Sequence, residues 1–471
     1  MFTKHTSRRD FLRMSGLLAG AAVLAACAPQ VVTQVVTQVV KETSVVKETM
    51  VVKETAVIDK LITVTPAPGA ADITGSLDLS WQNDAVFGPI YEAMWRQFQA
   101  MYPNIKLNMI WNGDQNKLIA AGTPPSLLNG GDVHPAELKM SLDLDPFIAK
   151  DKYDLTPFFK SAIDPLKIDG KIKGLAPWFN ISLLYYNKKI FTDAKLDFPT
   201  DKWTKDEFMT AAKALTKNAG GKPTQWGVEF AQGWWGSWLS FVRQAGGDWM
   251  DVTTGKVTLD SPESIAGMKY WVSLIQAGAD KVSFLPKEDS LGGFQGGKIG
   301  MSYGSHAGNW NTYRSAGVDF DVAILPAGLK QQRGGEQALD GWSIHKDAKS
   351  PDAAWEAMKY IVSYNSEFQY YTSIGPVTRK DVVAEIAKTP VAQRTRAPRN
   401  LESIFSAFDQ NFGMFLPRHL GFVDGTQNHV QPVIDVILEG GKTVDEGMKQ
   451  ATKDAQDYLD STYPDLKSST Y

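Results

Sequence analysis

The chain has 471 residues, 49 Lys and Arg against 52 Asp and Glu, a net charge of −3, 14 Trp and a single cysteine. So weak a charge leaves no basic footprint for nucleic acid, and one thiol excludes both an internal disulfide framework and a multi-thiolate zinc site. A chain this long can bury a large core without such staples, and its length argues two lobes rather than one.

At the N-terminus, Arg8, Arg9 and Arg13 precede a short apolar run, residues 16–26. That run is about half the ~20 residues a spanning helix needs. A charged start, a short apolar middle and a small-residue exit describe a secretory signal. "SRRDFLR" resembles the twin-arginine export motif, and Leu24-Ala25-Ala26-Cys27 resembles a lipobox. Residues 1–26 are therefore expected to be removed, leaving Cys27 as a lipid-bearing N-terminus. The removed segment carries a charge of +3, so the mature chain stands at −6. No later stretch is long and apolar enough for a transmembrane helix.

Residues 27–74 read as a tether. "VVTQVVTQVVKETSVVKETMVVKET" repeats Val-Val at a spacing of four and then six, which is not a heptad. The expectation is a low-complexity stalk closed by Pro66-Ala67-Pro68-Gly69, spanning roughly 40 Å as a coil and about 155 Å when stretched. A small β structure that oligomerises is the alternative.

From residue 75 onward, strands and helices alternate. "SLDLSW" is a half-buried strand, residues 87–101 place Phe87, Ile90, Tyr91, Met94, Phe98 and Met101 on one helical face, and "IKLNMIW" is a second strand. Ser261-Pro262-Glu263 and Ser350-Pro351-Asp352 open later helices. "WGVEF", "KIGMSY", "FDVAIL" and "GWSIHK" are further strands between helical stretches, which argues an α/β class. Composition does not reveal where the chain passes between lobes.

Catalytic and cofactor motifs are missing. "GGFQGGKIG" places Ile299 where a phosphate loop needs Ser or Thr, and its lysine leads into a strand. There is no His-Glu-x-x-His, nucleophile elbow or dinucleotide fingerprint. His134, His306, His345, His419 and His429 are far apart in sequence, so no metal or cofactor is expected. Paired carboxylates for glycoside hydrolysis form in space and leave no spacing to read.

Several segments, taken in order, resemble the extracellular solute-binding proteins of ABC importers, the group that includes maltose-binding protein. They are "GTPPS" with "DLDPFI", "DGKIKGLAPWFNISLLYYNKKIF", "QAGGDWMD", "GKVTLDSPESIAGMKYWVSLI", "FQGGKIGMSYGSHAGNW", "VDFDVAILPAG", "GWSIHKDAKSPDAAWEAMKYIVS" and "GKTVDEGMKQATKDAQDYL". The resemblance implies a non-catalytic, two-lobed α/β binding fold with a hinge. Residues 75–180 and 325–371 would form the N-terminal lobe, and 181–324 and 372–471 the C-terminal lobe. It implies a carbohydrate ligand, a monomer, and delivery to the transmembrane subunits of an ABC permease. It also implies anchoring through Cys27 at the outer face of the cytoplasmic membrane. The same fold could hold a glycerol phosphodiester, a polyamine or another polar solute. A rival from another class is an exported carbohydrate-active enzyme.

Carried over residue by residue, the resemblance assigns ligand contacts to Trp81, Asn83 and Asp84 after the first strand and to Asn129 and Asp132 after "PPSLL". Trp178 and Asn180 fall at the first passage between lobes, and Asn180 stands where the maltose binder has a carboxylate. Trp234, Trp235, His306 and Trp310 come from the second lobe, and Trp342 from the returning segment. Aromatic faces suit sugar rings, while Asp, Asn and His suit hydroxyls. For any single tryptophan, a place in the core is the competing expectation.

Overall fold

The first strand of the body, β1 (Gly75–Trp81), follows its alternation: Leu77, Leu79 and Trp81 are buried while Asp78 stays partly outside. The computed structural model describes residues 32–36, 43–46, 49–52, 60–64, 69, 72–81, 88–130, 138–230, 235–251, 253–276, 282–284, 290–330, 334–410, 412–415 and 421–464. It divides into two units, residues 1–76 with 91–107 and residues 77–90 with 108–471.

In the first unit, Val32–Val36 pairs antiparallel with Lys60–Val64, setting Val32 opposite Val64. Thr43–Val46 pairs likewise with Thr49–Val52. The 27–74 stretch, expected to be coil, thus holds two strand pairs, as its β-branched Val and Thr content favours. Within helix α1 (Gly88–Met101), Tyr91, Met94, Trp95 and Phe98 are buried at the three- and four-residue spacing of one face. Phe98 lies 5.8 Å from Trp95, edge-on, and 4.9 Å from Tyr102. Phe87, of the expected face, lies outside the described residues, as do residues 1–31 with Cys27.

The second unit is built on two sheets. The strands are β2 (Ile105–Trp111), β3 (Leu127–Gly130), β4 (Gly174–Leu175), β5 (Phe179–Asn187), β6 (Lys217–Ala219), β7 (Lys222–Phe230), β8 (Ser283–Phe284), β9 (Ile299–His306), β10 (Phe320–Ile324), β11 (Gly335–Leu339), β12 (Gly341–Ile344) and β13 (Gly413–Met414). The first sheet runs β4-β12-β3-β1, and β2 extends it. There Asn108 Nδ2 donates to Asp78 Oδ1 at 2.9 Å, and Asn112 N to Trp81 O at 2.6 Å. The second sheet runs β6-β7-β9-β5-β11-β13, with β8 beside β7 and β10 beside β5. The apolar run of β5 fits its central place, since Ile181 to Tyr186 are all buried. Under this sheet Leu184, Phe191, Trp238, Trp271, Met301, Phe422, Ile434 and Leu459 share one core, which joins the C-terminal helices to β5 and β9.

The chain passes from one sheet to the other between β4 and β5, through residues 176–178, and returns between β11 and β12 through Asp340 alone. Residues 335–339, expected in the first lobe, therefore pair in the second sheet. Likewise Phe179 and Asn180 pair in the second sheet, opposite Leu339 and Ala338. A change of sheet within one residue leaves no loop composition to mark it. A further segment, residues 375–379, runs alongside: Trp178 bridges Val377, and Phe179 N donates to Pro376 O at 3.0 Å. Buried Glu367 fastens it, accepting from Thr378 N at 3.0 Å and Arg379 N at 2.8 Å. Thr378 Oγ1 in turn donates to Ala176 O at 2.5 Å. Burial pushes the Glu367 carboxyl well above the usual carboxylate range, against those amide donors.

Candidate functional site

The two passages and the segment 375–379 bring together residues far apart in sequence. Trp178 is half-buried, and its indole Nε1–H donates to Asp340 Oδ2 at 2.5 Å. Asp340 N also donates to Trp178 O at 3.1 Å, so side chain and backbone both tie the first passage to the second. Burial pushes the Asp340 carboxyl up to about 7, and the indole bond opposes that rise.

Two residues further along β5, Asn180 faces the end of β9. Its Nδ2 donates to His306 Nδ1 at 3.3 Å, and its Oδ1 accepts from Gly308 N at 3.4 Å. The other imidazole nitrogen, Nε2, bonds Glu336 Oε2. A ring that accepts at Nδ1 and donates at Nε2 is the tautomer this network selects. Glu336, on β11, is 3% exposed, while the His306 side chain keeps 31% of its surface. Glu336 is held in turn by its own N–H, which donates to Ser182 Oγ at 3.1 Å. Tyr185 Oη lies 2.9 Å from both His306 O and Ala307 O, which fixes the turn after β9.

On the first sheet, Trp342 pairs with Asn129 across β12 and β3 and with Leu175 across β12 and β4. Trp81 and Trp342 stack face to face, with centroids 3.8 Å apart at 14°. They are 4% and 1% exposed, so each covers a face the other would offer a ligand. Asn129 is half-buried, and its N–H donates to Gln115 Oε1 at 3.0 Å. On the second lobe, Trp235 opens helix α2 (Trp235–Gln244) and is half-buried. It packs edge-on against Phe422 at 5.3 Å, and Phe422 also meets Trp249 of "GGDWMD". Trp310, expected at the ligand, is 0% exposed, lying between the Tyr371 ring and the Arg314 guanidinium. That is a core position, and it gives a ligand no surface in this structure.

Asn83, Asp84, Asp132 and Trp234 lie outside the described residues. Of the rest, Trp178, Asn180 and His306 meet at the passages, whereas Trp81, Asn129 and Trp342 group on the first sheet. Sequence reasoning missed Glu336 and Asp340. The only available signal was the carboxylate of "LDGW" just before Trp342; Glu336 had none. A separate cavity of about 740 Å³, bordered by Asp78, Asn108, Ser126, His345 and Lys349, contains none of the selected residues.

The arrangement offers an aromatic ring fixed at its polar edge beside an amide–imidazole–carboxylate chain. Such a set can stack on a ring and exchange hydrogen bonds with hydroxyls.

Residues 82–364 match the family model described as bacterial extracellular solute-binding protein. Among solved structures, the chain is similar to an ABC substrate-binding protein of Listeria monocytogenes, Lmo0181, in complex with cycloalternan. The identity is 20%, the TM-score 0.67, and the match covers 82% of this chain and 99% of that one. Maltose-bound MalE3 of T. maritima is similar at 22% identity, with a TM-score of 0.65 and coverage of 82% and 100%. UgpB of Mycobacterium tuberculosis, in complex with glycerophosphocholine, is similar at 18% identity, with a TM-score of 0.67 and coverage of 83% and 99%. The likeness establishes the two-lobed α/β fold.

Proposed function

This chain belongs to the bacterial extracellular solute-binding proteins, and from that premise we propose that it captures a carbohydrate beside the inter-sheet passages and hands it to an ABC permease without chemical change. The observation that carries the reading is the half-buried Trp178, edge-bonded to Asp340, next to the Asn180–His306–Glu336 chain. The sugars named for two proteins of like fold, cycloalternan and maltose, support it. Closure of two lobes about the passages would trap the ligand, and a ligand biases such closure only by its different affinity for the two states.

Glycerophosphocholine, bound by a third protein of like fold, is the second reading. A phosphodiester favours arginine or lysine, whereas the groups gathered around Trp178 and His306 are carboxylates and an amide. A panel of maltose, cycloalternan and glycerophosphocholine, read by thermal shift and by product analysis, tests both. Stabilisation by a sugar without turnover supports the binder. Turnover would make it an enzyme, and a response to glycerophosphocholine alone would replace the ligand class.

The twin-arginine signal, a monomeric state and lipid attachment at Cys27 complete the proposal, with the tether holding the body at the outer face of the cytoplasmic membrane. One acyl chain binds a membrane only marginally, so stable attachment requires more than one. Cys27→Ser should release the protein or leave it unprocessed. A normally processed, membrane-bound pool of that variant would refute the anchor.

A further inference from the structure

Trp178 stands where the two passages and the segment 375–379 meet, with a neighbour at each end of its indole. Its Nε1–H is bonded to Asp340 on the second passage at 2.5 Å. Near the six-membered ring of the indole lies Gly375 of the segment 375–379, where an added Cβ would come within 3.3 Å of Cε3 and 3.5 Å of Cζ3. The Trp178 backbone is held on both sides as well, by Asp340 N and by the bridge to Val377. The hydrogen bond at the nitrogen, and the small space left at Gly375, restrict how far the ring can turn.

We propose that Asp340 is a positioning residue that sets the orientation of the Trp178 indole, with Gly375 as the floor against which the ring is held, so that the ring face is presented to a stacked ligand. The role at the ligand rests on the carbohydrate reading; the orientation of the ring does not. Fixing an aromatic platform in advance removes ordering cost from binding. Because the donor and acceptor sit on different passages, the ring stays aligned only while those passages keep their mutual register. An arrangement of the lobes that separates them would turn the platform away.

The test separates the two layers. In the full chain labelled with 5-fluorotryptophan, the Trp178 resonance is assigned by its loss in Trp178→Phe. The wild-type resonance should move or broaden in Asp340→Ala and in Gly375→Ala. It should stay close to its original position in Asp340→Asn, whose amide oxygen can accept the same bond. A resonance unmoved in Asp340→Ala, or an Asp340→Asn protein no nearer to wild type than the alanine variant, overturns the proposal. If Asp340→Ala does not fold, Asp340→Asn and Gly375→Ala still decide it. Calorimetry with maltose and with cycloalternan reads the second layer. For whichever sugar the wild type binds, affinity should fall at least tenfold in Asp340→Ala and less than threefold in Asp340→Asn. Equal affinity in all three proteins would overturn the role at the ligand. Binding of neither sugar by the wild type would count against those ligands, while the resonance would still judge the positioning.

Discussion

The pair Trp81–Trp342 and the single Trp178 show two uses of one residue type. The pair is stacked at 3.8 Å and almost wholly buried, each ring spending a face on the other. Trp178 keeps part of its surface and spends its edge on a carboxylate. A stacked, enclosed pair stabilises its sheet, whereas an edge-bonded, half-exposed ring can still act on a ligand. What separates the two roles is the ring face, covered by a second ring in the pair and left partly open at Trp178.

The comparison can be broken most directly at Trp342. Trp342→Ala should remove a stacked core ring and cost about 3–5 kcal/mol of stability, read by denaturant unfolding. A loss below about 1 kcal/mol would show that the pair is not structural. Trp235 lies between the two cases, half-buried on Phe422 and on the second core. Trp235→Ala should cost about 2 kcal/mol of stability, and measuring melting and affinity together sharpens its place. Lost affinity with unchanged melting would move it to the side of Trp178. Trp178→Ala should weaken binding of the cognate sugar by on the order of 2 kcal/mol, a hot-spot loss, while melting changes less than in Trp342→Ala.

The smallest effect is a pH slope. An unfolded aspartate ionises near pH 3.9, whereas folded Asp340 is pushed up to about 7 by burial. Between those values the folded state holds a proton the unfolded state has lost, so this group's contribution to stability falls as pH rises from about 4 to about 7 and is flat above. Partial exposure of Asp340 should screen the change well below the roughly 4 kcal/mol that such a rise would carry in full. Asp340→Asn should abolish that part of the slope in unfolding measured at pH 5 and pH 8. An unchanged slope would assign it to other groups.

Much of the fold was legible because its signals are local. Alternation marked β1, the apolar run marked β5, and Ser261-Pro262 opened the helix Pro262–Gln276 with Ser261 Oγ accepting from Ser264 N at 3.2 Å. Pairing was not legible. In a Val-Val repeat many registers bury equivalent residues, so nothing in the repeat singles out Val32 against Val64. The second passage was missed because Asp340 alone carries it. At the candidate site, Trp178, Asn180 and His306 were selected through their place in the resemblance. Glu336 and Asp340 act only through partners 30 and 162 residues away, a distance no motif spans.

The strand order of the first sheet also sets a timetable for synthesis. Strand β12 lies between β4 and β3, yet it is made about 165 residues after β4. At ribosomal rates of about 5–20 residues per second, that is a delay of roughly 10 to 30 s. Until β12 arrives, β3 and β4 each present an unpaired edge toward the slot it will fill, and open edges invite pairing with other chains. The nascent chain therefore has the greatest need of a chaperone over that interval, while the first sheet waits for an inner strand.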